Sequence, residues 1–289
     1  MSLSSALERL STYRTNNTRA SQETFEKGCQ VLKAGSTPNL GDEGWAFLEQ
    51  LALASIDVGR LDIADLSLKQ LGAKFPRSPR VDVLTGIRME ATESAGVVLQ
   101  YYDELMDADP TNVAAWKRQI SVIRRIGRYE KAVEELSNYL DTFYTDVEGW
   151  LELADIYCVC NQYTSALQAL SHALALAPQN PFTVLQFAET AYTAGDLPLA
   201  LKMFLLVVDM GERDLGTDDP PVGINIRGWF GVKLCSRQLV AQPNSPSASN
   251  TPISKNLKKI DELATERVLV AYRGNRDTGA RQVSDWMAR

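Results

Sequence analysis

The sequence holds one histidine, four cysteines and 36 acidic residues from which any catalytic or metal-binding constellation would have to be assembled. His172 sits in ALSHALAL with no second His or Cys at ligand spacing beside it, so neither a metal site nor a general base is built around it. Cys158 and Cys160 stand two apart, which on a helix separates them by roughly 200° around the axis, so one ion cannot take both. With Cys29 and Cys235 they form neither a CxxC pair nor a disulfide framework, and they read as reduced, packed thiols of a cytosolic chain. No GxxxxGK[ST], GxGxxG, GxSxG or HExxH is present. The adjacent acids Asp42-Glu43 precede a helix, and Asp218-Asp219 lie in a Gly/Pro loop. The expectation is a protein that is not an enzyme and carries no catalytic residue, metal or cofactor.

What the sequence does offer is patterned charge. The stretch WKRQISVIRRIGR, Trp116 to Arg128, places Lys117, Arg124 and Arg125 on one helix. The net charge of -6 over 289 residues gives no general attraction to nucleic acid or to an anionic membrane, so a basic site is local. The longest apolar run, MFLLVV from Met203 to Val208, is far below the roughly 18 residues of a spanning helix, and MSLSSALERLSTYR has no apolar signal core. A glycosylation acceptor at Asn16-Asn17-Thr18 is therefore expected to go unused.

The elements that position these charges recur. From Tyr163 a step of 34 residues reaches Tyr129 and Leu197, and the same step joins Trp116 to Trp150. Ala64, Val98, Ala132, Ala166 and Ala200 share one phase; Gly59, Gly127 and Gly195 share another; Pro76, Pro110 and Pro178 share a third. Trp150, Leu153, Ala154 and Tyr157 lie on one helical face, and Ala166, Leu170 and Ala173 lie on another. Each period is thus a pair of helices, turned by Gly or Asn and closed by Pro. Five units are expected at 45–78, 79–112, 113–146, 147–180 and 181–212, between N-terminal capping helices (1–44) and C-terminal capping helices (213–289). In the first cap, SQETFEKGCQVLKAG reads as a helix started by Ser21 with Phe25, Cys29 and Leu32 on one side. Two further helices are read in NIRGWFGVKLCSRQLVA and SKNLKKIDELATERVLVAYR, separated by a mobile Pro/Ser loop at about 242–254 with phosphorylatable Ser245-Pro246 and Thr251-Pro252.

Trp at unit position 4, Ala or Gly at 8, Tyr at 11, Ala at 20 and 27 and Pro at 32 resemble the tetratricopeptide repeat, matched at every position by the fourth unit. The resemblance implies an all-α fold, a right-handed α-solenoid. It also implies that Arg80, Lys117, Arg124 and Arg125 line a concave groove, with Glu148 and Asp155 of the next unit reversing its sign. Such a groove suits a peptide or loop lying in one direction; salt bridges between neighbouring helices are the other use of the same charges. The Lys/Asn carboxylate clamp of co-chaperone repeats is not matched, with Ser121 and Glu152 in its slots.

LTGIRMEA (Leu84 to Ala91), DPTNVAAWKRQISVIRRIGR (Asp109 to Arg128), AVEELSNYLDTFYTDVEGWLELADIY (Ala132 to Tyr157) and NIRGWFGVKLCS are similar to the subunit 2 family of the endoplasmic reticulum membrane protein complex (EMC), in its fungal type. That resemblance implies a non-catalytic scaffold on the cytosolic face of the endoplasmic reticulum. It would hold cytosolic segments of membrane subunits such as 3 and 5 and a soluble partner of the subunit 8/9 type, in support of inserting tail-anchored and multi-spanning proteins. Isolated from such partners, the chain could expose apolar patches and form a homodimer. The rival expectation is a cytosolic adaptor or co-chaperone that binds a linear peptide.

Overall fold

The computed structural model describes residues 3–35, 41–213, 219–243, 245–272 and 278–287, and all regular structure among them is helical. The chain divides into two compact units, Met1–Ala132 and Val133–Arg289. The first contains α1 (Leu3–Thr15), α2 (Ser21–Lys33), α3 (Glu43–Val58), α4 (Leu61–Lys74), α5 (Pro79–Met89), α6 (Ala95–Ala108) and α7 (Val113–Arg125). The division falls inside α8 (Tyr129–Thr142). The second continues with α9 (Val147–Val159), α10 (Tyr163–Leu176), α11 (Pro181–Thr193), α12 (Leu197–Glu212), α13 (Ile224–Ala241), α14 (Leu257–Ala271) and α15 (Thr278–Met287).

The bend inside successive helix pairs is one backbone device used four times. Gly59, Gly127, Asn161 and Gly195 adopt φ of 79°, 77°, 59° and 85°. The next residue's N–H then reaches back to the preceding helix: Arg60 N to Ser55 O at 2.8 Å, Arg128 N to Ile123 O at 3.2 Å, Gln162 N to Tyr157 O at 2.8 Å, and Asp196 N to Ala191 O at 3.0 Å. The left-handed residue turns the chain while these donors satisfy carbonyls that the ending helix leaves open. Pro76, Pro110 and Pro178 stand just beyond α4, α6 and α10. Asn112 and Asn180 then restart α7 and α11, accepting from Ala115 N at 3.1 Å and Phe182 N at 3.0 Å.

Close approach of helices is set by small side chains. Ala64, Val98, Ala132, Ala166 and Ala200 are all 0% exposed. In the first unit α3 packs on both α4 and α5, and α5 on both α6 and α7, the nearest-neighbour and next-but-one pattern of stacked hairpins. Its core runs through Leu10, Val31, Phe47, Leu48 and Leu51, then through Val98, Tyr102 and Val122. Gly86 of α5 faces the Tyr102 ring so closely that an added Cβ would stand 2.6 Å from it. In the second unit α11, α12 and α13 form one layer after another, and Gly231 of α13 lets the Phe204 ring of α12 rest on backbone. The core there joins Val184, Leu201, Phe204, Trp229, Val232 and Val268, and Met287 of α15 belongs to it. An ion pair crosses this core: Lys233, its side chain 6% exposed, meets Asp261 at 2.7 Å, and Ser236 Oγ donates to the other Asp261 oxygen at 3.0 Å, joining α13 to α14.

Three details differ from the sequence expectation. α15 adds a third C-terminal helix to the two read from the sequence. Ser21 is not a cap: α2 is preceded by Ala20, and the Ser21 hydroxyl donates to Asp57 on α3. The buried face of α2 is Thr24, Lys27, Gly28 and Val31, one step around from Phe25, Cys29 and Leu32. Within the Pro/Ser segment, Ser247 and Ser249 are both bonded to Asp196. Asp218 lies outside the described residues.

Gly86→Ala is expected to drive Tyr102 from its place and cost about 1–3 kcal/mol as an overpacked contact. Gly72→Ala, where no atom lies within 4 Å, is expected to stabilise α4 by up to about 1 kcal/mol. Thermal unfolding of the two variants against the parent chain checks the opposite signs.

Candidate functional site

The first unit carries a concave site of about 670 Å³ between α1, α2, α3, α5 and α7. Its floor is apolar, with Leu53, Ile56 and Ile87, and its walls carry Arg14, Arg19, Arg80, Arg118 and Arg125 against Glu49, Asp57 and Glu90. Five guanidinium groups against three carboxylates leave the lining basic although the chain as a whole is acidic.

The geometry is organised by Glu90, whose side chain is 5% exposed at the end of α5. Arg118 engages it with both nitrogens, Nε to Oε1 at 2.9 Å and Nη2 to Oε2 at 2.6 Å; Tyr102 OH donates to Oε1 at 2.8 Å. Arg125 reaches the same carboxylate at 3.4 Å. Burial would push the Arg118 guanidinium down, but the paired bonds to Glu90 outweigh it and hold the group above its usual range. Burial, followed by the bond to Glu90, pushes the Tyr102 phenol well up, so it stays a donor. Around this centre Arg80 pairs with Glu49 at 2.7 Å, and Arg19 grips Asp57 through two bonds of 2.8 and 3.1 Å. Arg80 and Arg125 keep 76% and 53% of their side chains exposed, so both present charge to the opening.

Of the residues singled out from sequence, Arg80 and Arg125 line this site. Lys117 and Arg124, half-buried on α7, fall outside its lining; Arg118 and Arg125, seven residues apart and hence on one face, are the pair that α7 presents to it. Glu148, exposed, and Asp155, half-buried, lie on α9 in the second unit. Arg118, Glu90 and Arg19 were not anticipated; a signal for the first two was the placement of Glu90 just after α5 and Arg118 on α7, helices that meet. His172 is exposed and stacks on Trp150 with ring centroids 4.3 Å apart. Cys29, Cys158, Cys160 and Cys235 are free thiols, and burial pushes Cys235 up to about 12. Among the described residues no group of three His, Cys, Asp or Glu could hold a metal ion. The site's polar chemistry is that of guanidinium forks bonded to carboxylates beside the apolar side chains of Leu53, Ile56 and Ile87.

The EMC2 TPR-like repeat domain matches residues 79–199. The ER membrane protein complex subunit 2 of Xenopus tropicalis is 34% identical over 92% of this chain and 85% of its own length. The chain belongs to the ER membrane protein complex subunit 2 family. A fungal relative, the TPR repeat protein oca3 of Schizosaccharomyces pombe, is 30% identical over 78% of this chain and 76% of its own. Among solved structures, the C-terminal part of a TPR repeat-containing protein from Cytophaga hutchinsonii superposes with a TM-score of 0.57 at 13% identity, covering 96% of this chain and 98% of that one. Pseudomonas aeruginosa pilF gives 0.52 at 15% identity over 86% and 98%. These two establish the fold: the family's chain is a tetratricopeptide-type α-solenoid.

Glu90→Gln removes the buried charge that both arginines share, and is expected to cost about 1–3 kcal/mol. Arg125→Gln, which removes only the longer and more exposed pairing, is expected to cost less than about 1 kcal/mol. Denaturant unfolding of both variants measures the difference.

Proposed function

We propose that this chain is the scaffold subunit of an ER membrane protein complex, without a catalytic role of its own. In this reading it lies on the cytosolic face of the endoplasmic reticulum, held there by protein contacts. It grips cytosolic segments of membrane subunits such as 3 and 5 and a soluble subunit of the 8/9 type, and so supports insertion of tail-anchored and multi-spanning proteins. The observation that carries it is family membership across 92% of the chain. Two features of the molecule support it: no described helix is long and apolar enough to cross a membrane, and the first unit offers a basic groove with an apolar floor.

Within this reading the groove receives an acidic segment whose carboxylates exchange with Glu49 and Glu90 for Arg80 and Arg125, while apolar side chains settle on Leu53 and Ile87. Lys117 and Arg124 extend the basic surface of α7, and Glu148 and Asp155 on α9 receive a basic juxtamembrane segment.

Affinity purification in mild detergent followed by mass spectrometry of the copurifying chains tests the assembly. Charge reversal of Arg80 and Arg125 to Glu is expected to lower recovery of at least one membrane subunit by about tenfold at moderate salt, with helix content unchanged. A parallel reversal of Lys117 and Arg124 separates the groove from the neighbouring surface. Undiminished recovery from the first variant rejects the groove; a chain recovered alone from the cytosol rejects the scaffold reading.

A further inference from the structure

One carboxylate gathers several bonds from the segment after α13. Asp196, 5% exposed at the turn into α12, accepts from Leu199 N at 3.2 Å and so caps that helix. The same side chain accepts from Ser247 Oγ at 2.8 Å and from Ser249 N at 3.0 Å. Burial would push Asp196 up, but these donors together outweigh it and hold the carboxyl below the usual range, so the anchor is charged. A chain of hydroxyls leads away from it: Ser247 Oγ lies 2.9 Å from Ser249 Oγ, and Ser249 Oγ lies 2.7 Å from Thr251 Oγ1. Thr251 N donates back to Ser247 Oγ at 3.1 Å, and Ile253 rests against the core.

Thr251 precedes Pro252, the dipeptide that proline-directed kinases require. We propose that Thr251 is a phosphorylation site and that its modification releases the 245–253 segment from Asp196. The reaction bonds the γ-phosphorus of ATP to Thr251 Oγ1 and breaks its bond to the β,γ-bridging oxygen. The hydroxyl proton passes to the kinase's base and ADP departs. The pinned arrangement cannot accept the product. Thr251 Oγ1, 2.7 Å from Ser249 Oγ, would lose its proton as a donor to that hydroxyl, and the new double negative charge would stand two hydroxyls along the chain from an ionised carboxylate. Half-buried while pinned, Thr251 is modified in the transiently released segment, and the phosphate then prevents re-pinning. Ser245-Pro246 lies outside the hydroxyl chain and has no such coupling.

The test uses the full chain, a proline-directed kinase with ATP, and amide hydrogen exchange resolved to the 245–253 segment. Phosphorylation at Thr251 is expected to speed exchange of the Ser249 and Thr251 amides about tenfold or more while α13 stays protected. Thr251→Glu is expected to do the same without kinase, and Thr251→Val to stay near the parent rate. Asp196→Asn, which removes the acceptor for Ser249 N, is expected to expose the segment and raise the rate of Thr251 phosphorylation. Phosphorylated Thr251 with parental exchange rates overturns the proposal. So does a kinase that modifies a 242–255 peptide yet leaves Thr251 untouched in both the parent and the Asp196→Asn chain.

Discussion

Everything in this molecule depends on how near two helices can come. Where Ala64, Ala132, Ala166, Ala200 and Val98 stand, no side-chain bulk separates the axes, and each of these residues is wholly removed from solvent. Where the contact is closer still, glycine takes over: Gly86 admits Tyr102 and Gly231 admits Phe204. The consequence reaches the site. Tyr102 can present its hydroxyl to Glu90 only because α5 lacks a side chain at residue 86, and Glu90 in turn fixes Arg118 and draws in Arg125. A packing constraint in the core thereby sets the direction of guanidinium groups at the surface.

The arginines of the groove are already partnered, which shapes what they can do. An arginine held by a carboxylate has lost much of its rotamer freedom before any ligand arrives, so exchanging one carboxylate for another costs less ordering than capturing it with a free chain. The same pairing sets the competition an acidic segment would meet, since its carboxylates would have to displace Glu49 or Glu90 from their arginines. Depth distinguishes the members: the Arg118–Glu90 bonds lie low in the wall, whereas Arg80 and Arg125 are mostly open to water.

The helical fold class was legible because it is written in local signals: apolar spacing, a turn residue able to take positive φ, and a proline that stops the ladder. α15 escaped because it lacks such punctuation and lies outside the repeating period. Ser21 misled because the helix already begins at it: Ala20 takes the cap position, and the Ser21 hydroxyl donates to Asp57, 36 residues away. The groove was half legible. Position along a helix indicates which arginines cluster, but a rotation of one residue separates Arg118 from Lys117, and only packing fixes it. The bonds from Ser247 and Ser249 to Asp196 span 51 and 53 residues, and composition alone carries no trace of a contact that long.

The Lys233–Asp261 pair bears on how the end of the chain finds its seat. Apolar helix faces tolerate sliding, since one leucine serves nearly as well as the next. An ammonium inside such an interface does not, because a shift of α14 by one helical turn, about 5.4 Å, would strand it without a counterion in a medium that solvates charge poorly. The ion pair therefore acts as a detent: it adds little to the depth of the correct well and greatly raises the floor of its neighbours, so that α14 docks in one register.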